Sequence, residues 1–237
     1  MLVRVFLVDI NPKMVHAWRE SFEENHEVEI IQGSMLQQQV GAWVSPTNAR
    51  GSMDGGLDAV IKKHLGVKIE SAVQAEIKKH YSGGMPVGHA TCVETGRLQP
   101  RFLISTPTMA TSSEDISDSL NVALACAAAF QAVHMQNARE PGSIRSMAMP
   151  GLGANTGKVP AEICADLMWT AYHMFREHEF TDFGAMRKAL EQELGDLSNT
   201  GKSNTKKTAV PVAAAKPAPV AVDEDDDGDD EDFDDHG

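Results

Sequence analysis

Ala42-Trp-Val-Ser-Pro-Thr-Asn48-Ala-Arg-Gly51-Ser-Met-Asp54-Gly55-Gly56-Leu57-Asp58 is the stretch that decides how this chain folds. An apolar run ends abruptly at Ser45-Pro46-Thr47-Asn48. A glycine-bearing polar segment then leads into a helix predicted from Leu57, with Asp58 in its first turn. Strand, polar loop and helix in that order are the unit from which α/β sandwiches are assembled. Glycines at 51, 55 and 56 let a ligand approach the backbone, because no side chain intervenes. The N–H groups of a helix start favour an anion. Asn48 and Asp58 place an amide and a carboxylate at the two ends of this loop.

Upstream, the apolar run from Leu2 to Val8 predicts a strand covered on both faces. Asn11 and Pro12 suit the N-cap and first position of a helix, and Met14, Trp18 and Phe22 give that helix one core-facing stripe. Residues 28–31 and 41–44 predict two more strands. Downstream, helices are expected over 57–65 and 69–81, the second closed by a left-handed glycine within Ser82-Gly83-Gly84. Strands follow over 87–94 and 102–105, then a long alanine-rich helix from Ile116 to Asn137 and a strand over 144–149. A second glycine-rich loop runs from Pro150 to Pro160, and helices over 161–178 and 183–194 complete the pattern. Strands and helices alternate throughout, which predicts an α/β fold with both parallel and antiparallel pairing. The unit over 2–25 reads as an addition at the N-terminus.

The net charge of −13 is concentrated at one end. Residues 223–237 hold eleven Asp or Glu and no Lys or Arg, so residues 1–222 carry only −2 of it. The folded part therefore makes no general electrostatic case for nucleic acid. Residues 196–222 read as a flexible Lys/Ala/Pro linker and 223–237 as a disordered acidic tail. The tail is a solubilising extension or a docking peptide for a basic protein partner, with Phe233 as its one aromatic anchor. Cys92, Cys126 and Cys164 lack metal-ligand spacing and read as free thiols in a reducing cytosol. The nine histidines share no metal-binding spacing, and no apolar run is long enough to span a membrane. Gly157-Lys158 does not complete a phosphate-binding P-loop, since Leu152 stands where its first glycine belongs and Val159 where Ser or Thr belongs.

Val44-Ser-Pro-Thr-Asn48 followed by Gly55-Gly-Leu-Asp58 resembles the macrodomain signature, Val-Asn-Ala-Ala-Asn followed by a glycine run and Val-Asp at a helix start. Bacterial and bacteriophage macrodomain-like proteins are the nearest in kind. Met149-Pro-Gly-Leu-Gly-Ala-Asn-Thr-Gly-Lys-Val-Pro160 has the length of that family's second ligand loop. The resemblance implies a three-layer α/β/α sandwich with a mixed sheet over residues 1–195. It implies binding of ADP-ribose or a related nucleotide diphosphate-ribose, with hydrolysis of ADP-ribosyl or O-acyl-ADP-ribose linkages as the catalytic version. Asn48 and Asp58 would be the catalytic pair, Asn48 on the distal ribose and Asp58 on the attacking water. Ser34, Asp54, Gly55, Gly56, Gly151, Gly153, Ala154, Asn155, Thr156 and Gly157 would contact the ligand. Ser34 stands where many family members have the aspartate that reads adenine, and Gly157 where they have an aromatic ring. The resemblance implies no cofactor and no metal, and as partners ADP-ribose or ADP-ribosylated protein or nucleic acid. The other reading is a non-enzymatic bacterial or phage interaction protein that uses the fold as a scaffold and docks by its tail.

Overall fold

The computed structural model describes residues 3–111 and 114–200, with side chains to residue 195. The acidic tail and all but the first five residues of the expected linker lie outside the described residues. In chain order the elements are β1 (Arg4–Asp9), α1 (Pro12–Ser21), β2 (Val28–Gln32), β3 (Ala42–Ser45), α2 (Gly56–Leu65) and α3 (Lys68–His80). Then come β4 (Thr91–Glu94), β5 (Phe102–Ser105), α4 (Asn121–Arg139), β6 (Ser146–Met149), α5 (Ala161–Glu177) and α6 (Phe183–Thr200). The strands form one six-stranded sheet in the order β2-β1-β6-β3-β5-β4. Five strands are parallel and β4 alone is antiparallel, at the edge beside β5. The sheet is mixed, as expected.

Each strand is four to six residues long and apolar on both faces, so it needs cover on both. On one side, Val5, Leu7, Val44 and Ile104 pack with α1, α4, α5 and α6. On the other, Trp43, Leu103 and Val93 pack with Ile61 of α2 and Ile69, Val73 and Ile77 of α3. This makes three layers. The alanines at 123, 125 and 127–129 are fully buried, which lets the α4 backbone lie close on the sheet. Helix α1 forms as its sequence predicts. The Asn11 side chain accepts from Lys13 N–H at 3.0 Å, Pro12 begins the helix, and Met14 and Trp18 are fully buried. Truncating a buried tryptophan of this kind costs about 3–5 kcal/mol.

The strand–helix unit read as an N-terminal addition lies inside the sheet. β1 is flanked by β2, through Leu7 beside Ile30, and by β6, through Val5 beside Met147. Several expected boundaries move: β6 begins at Ser146 rather than 144, and α6 runs to Thr200 rather than 194, into the start of the expected linker. β4 begins at Thr91 rather than 87, because Gly88 has φ +87° and the His89 N–H turns back to the Pro86 carbonyl at 3.2 Å. α3 ends at His80 with Tyr81 already extended, so the left-handed Gly84 lies beyond the cap. α4 starts at Asn121; ahead of it the Ile116 N–H is bonded to the Gly157 carbonyl at 3.1 Å and the Ser119 N–H closes a tight turn on the Ile116 carbonyl at 3.1 Å.

Candidate functional site

Because five strands run in one direction, the loops after β2, β1, β6, β3 and β5 all emerge along one edge of the sheet. Ligands of open α/β sheets bind outside the carboxyl ends of the strands. β3 and β6 are neighbours, with Ala42 beside Met147 and Trp43 beside Ala148. The two glycine-rich loops, 46–55 and 150–160, therefore leave the sheet side by side.

The first loop is tied down by the residues singled out in its sequence. Asn48 Oδ1 accepts from the N–H groups of Arg50 at 3.0 Å and Ser52 at 3.2 Å, closing an Asx turn. The backbone of Asn48 also bridges Met109, in the loop after β5. Met53 is fully buried, and its N–H donates to Glu70 Oε1 at 2.7 Å. Asp54 is turned outward and accepts from Lys62 Nζ at 2.7 Å, while Lys62 also reaches Glu70 at 3.1 Å. A Cβ built on Gly55 or Gly56 would meet nothing within 4 Å, so the start of α2 is open to an incoming group. Gly55 caps α2 without a side-chain bond, which leaves N–H groups of the first turn directed outward.

Asp58 is 7% exposed, and its carboxylate accepts a short hydrogen bond from the Ser45 hydroxyl of β3. Burial pushes its pKa up to about 6 from 3.8, and the Ser45 bond opposes that only in part. No charged neighbour contributes. A carboxyl group with a pKa near 6 exchanges a proton near neutrality, as general acid–base chemistry requires. Two further hydroxyls, Thr47 Oγ1 and Ser105 Oγ, are buried in the same region without a hydrogen-bond partner.

The second loop is packed from within. Gly151 donates its N–H to Asp9 Oδ2 at 3.2 Å, and Asp9 Oδ1 accepts from Asn11 N–H at 2.9 Å. A Cβ on Gly157 would lie 2.6 Å from Ile116 Cγ1 and 2.7 Å from the Gly153 carbonyl. Gly153 has φ +73° and faces Ile116 and Val122. These glycines are thus required by the fold beneath them, independently of any ligand. The loop presents Asn155 and Thr156 outward, while Ala154 packs partly buried against the core, and Lys158 follows, its ammonium paired with Asp115 at 3.3 Å. The remaining ligand candidate, Ser34, caps a short 3₁₀ turn over Met35–Gln37, its hydroxyl accepting from Leu36 N–H at 3.2 Å.

The structure therefore gathers loops 33–38, 46–55 and 150–160 at one edge. It turns Asp58 toward the sheet and Asp54 toward Lys62. Sequence reasoning missed Asp9 and Ile116, the two residues that seat the second loop. Asp9 ends a strand, which is a signal; Ile116 stands at the expected start of the long alanine-rich helix, where nothing marks it as a loop contact. Among the described residues no group of three or more His, Cys, Asp or Glu is arranged to hold a metal. Among them, too, no helix is long and apolar enough to cross a membrane. Cys92, Cys126 and Cys164 are free, and burial holds the thiols of Cys92 and Cys164 up at about 12.

Comparison with known proteins gives the same outline. A model of the Macro domain matches residues 44–168. A protein of Aquifex aeolicus is 30% identical over 142 residues, which is 60% of this chain and 78% of its own. Among solved structures, the macrodomain of Mycobacterium tuberculosis DarG is 22% identical with a TM-score of 0.51, covering 60% of this chain and 88% of that one. A variant of the Oceanobacillus iheyensis macrodomain solved with ADPR is 17% identical with a TM-score of 0.50, covering 70% and 91%. At these identities the structural likeness speaks for the fold.

Proposed function

Since this chain belongs to the macrodomain family, we propose that the edge between loops 33–38, 46–55 and 150–160 binds ADP-ribose or a closely related nucleotide diphosphate-ribose. The observation that carries this reading is the adjacency of β3 and β6, from which two glycine-rich loops of the family's lengths rise together. The open helix start at Gly55 and Gly56 offers N–H donors to a diphosphate. Asn155 and Thr156 line the opposite loop as hydrogen-bonding groups. Lys158 adds a cation beside them. The ADPR-bound Oceanobacillus relative supports the choice of ligand.

The catalytic form of the reading is hydrolysis of an ADP-ribosyl or O-acyl-ADP-ribose linkage. Asp58 is the group suited to exchange a proton with an attacking water, and Asn48 holds the loop that would meet the distal ribose. Asp58 faces Ser45 in the free protein. It acts only if ligand binding draws its carboxylate outward or if water reaches it beneath the loop. Isothermal calorimetry with ADP-ribose tests binding: no heat at millimolar ligand overturns the proposal. Turnover of a mono-ADP-ribosylated protein by the wild type, lost in Asp58→Asn with binding retained, separates catalysis from binding.

A further inference from the structure

One face of the sheet carries a line of hydroxyls. Ser45 of β3 is level with Ser105 of β5, and Ser105 is level with Thr91 of β4. Residues level on adjacent strands point to the same face. Here it is the face of Trp43, Leu103 and Val93, which packs against α2 and α3. Ser45 and Ser105 are fully buried, and Thr91 is 5% exposed. Ser45 donates to Asp58, whereas the hydroxyls of Ser105 and Thr91 have no hydrogen-bond partner among the described residues. Buried hydroxyls without partners are costly, and internal water is their usual remedy. Neighbours of this kind hold their Cβ atoms about 4.5–5.5 Å apart, a spacing that suits one bridging water between consecutive hydroxyls.

The far end of the line lies against a surface cavity. Thr91 borders a cavity of about 380 Å³ that wraps the free edge of β4 between α3 and α4. Glu76, His80, His89, Arg139 and Asp182 surround it. His80 there is half exposed and bonded to Glu76, and His89 is bonded to the Tyr81 hydroxyl at 2.9 Å. We propose that Asp58, Ser45, Ser105 and Thr91 line a hydrated passage along the α2–α3 side of the sheet, by which water and protons reach Asp58 from the β4 edge. The passage is independent of which ligand the opposite cleft takes. It gives Asp58 access to solvent while the glycine loops are closed over a ligand. On this side Asp54, Lys62 and Glu70 are bonded to one another, and α2 and α3 also carry Lys63, His64, Lys68, Glu76, Lys78, Lys79 and His80. The titratable and charged groups at the passage mouth are Glu76, His80, Tyr81, His89, Cys92, Arg139 and Asp182.

The test is a carbon-detected NMR titration of the Asp58 carboxyl in wild type, Thr91→Val and Ser105→Ala. Thr91→Val keeps the side-chain shape, removes the hydroxyl and lies two strands, roughly 10 Å, from β3. Loss of water from the passage deepens the desolvation of Asp58, so its pKa rises by about half a unit or more in both variants. His80 and His89 are followed in the same samples to show that the change is not transmitted by their charge. Wild-type spectra are expected to show long-lived water contacts at the side-chain protons of Ser105 and Thr91. Unchanged Asp58 titration in both folded variants overturns the passage, as does absence of those water contacts in the wild type.

Discussion

A carboxyl group buried against a single hydroxyl keeps its proton more tightly than it does in the unfolded chain, and Asp58 is in that position. Its folded pKa of about 6 lies above the ordinary aspartate value of 3.8. Below both values the proton is bound in either state and the group is neutral to stability. Between them the unfolded chain ionises first, so stability falls as pH rises, and above about 6 the loss is complete. At 1.36 kcal/mol per unit this amounts to roughly 1–3 kcal/mol at pH 7. Asp58→Asn keeps an acceptor for Ser45 and removes the charge. We expect it to be more stable than wild type at pH 7 by about that amount and no different near pH 4, as read by urea unfolding at the two pH values. Gly157→Ala is expected to go the other way, losing about 1–3 kcal/mol, because its methyl group would meet Ile116 and the Gly153 carbonyl. A thermal scan checks it. Asp58 and Gly157 were both visible in the sequence, as a first-turn acid and a loop glycine. What they touch was not, since Ser45 and Ile116 become their neighbours only once strands are paired and loops folded back.

At the scale of elements, the loop after β3 is held in part by the Asn48 side chain, beside the bond from Met53 N–H to Glu70. Asn48→Ala removes the acceptor for two N–H groups, which is worth about 1–2 kcal/mol. The expected result is weaker ADP-ribose binding by calorimetry, with the helical circular dichroism unchanged. Asn48→Asp keeps the acceptor and is expected to recover the loop. If both variants bind as the wild type does, the loop is not part of the site. The loop before α4 acts on the second ligand loop through Ile116, which is 2% exposed. Ile116→Ala is expected to cost about 2–5 kcal/mol and to weaken binding at 150–160 without touching the ligand. Helices with a regular apolar stripe, such as α1 and α3, were legible almost to the residue. The start of α4 was not. Ile116 fits the helical period, yet its N–H goes to Gly157, and periodicity carries no record of such a long-range bond.

For the molecule as a whole, the family match begins at residue 44, but the sheet does not. β1 stands between β2 and β6, and α1 lies against α5 through the core shared by Trp18 and Met168. A fragment of residues 44–168 is therefore expected to lack cooperative unfolding, and removal of residues 1–25 to abolish it likewise; calorimetric scanning distinguishes either from a domain that needs no β1. Ending the chain at Lys202 is expected to leave ADP-ribose affinity unchanged. The α/β class and mixed sheet could be read from alternation and run length. The sheet order could not, because the place of β1 depends on a partner strand some 140 residues later. That pairing also sets a timetable. β1, α1 and β2 leave the ribosome well before β6, with the flank of β1 that belongs to β6 still unpaired. At about 5–20 residues per second this flank waits on the order of ten seconds for Ser146–Met149 to appear. Over that interval Val5 and Leu7 are open to strands of other nascent chains. Slower folding is the expected cost of seating β1 inside the sheet, between β2 and a strand so much later in the chain.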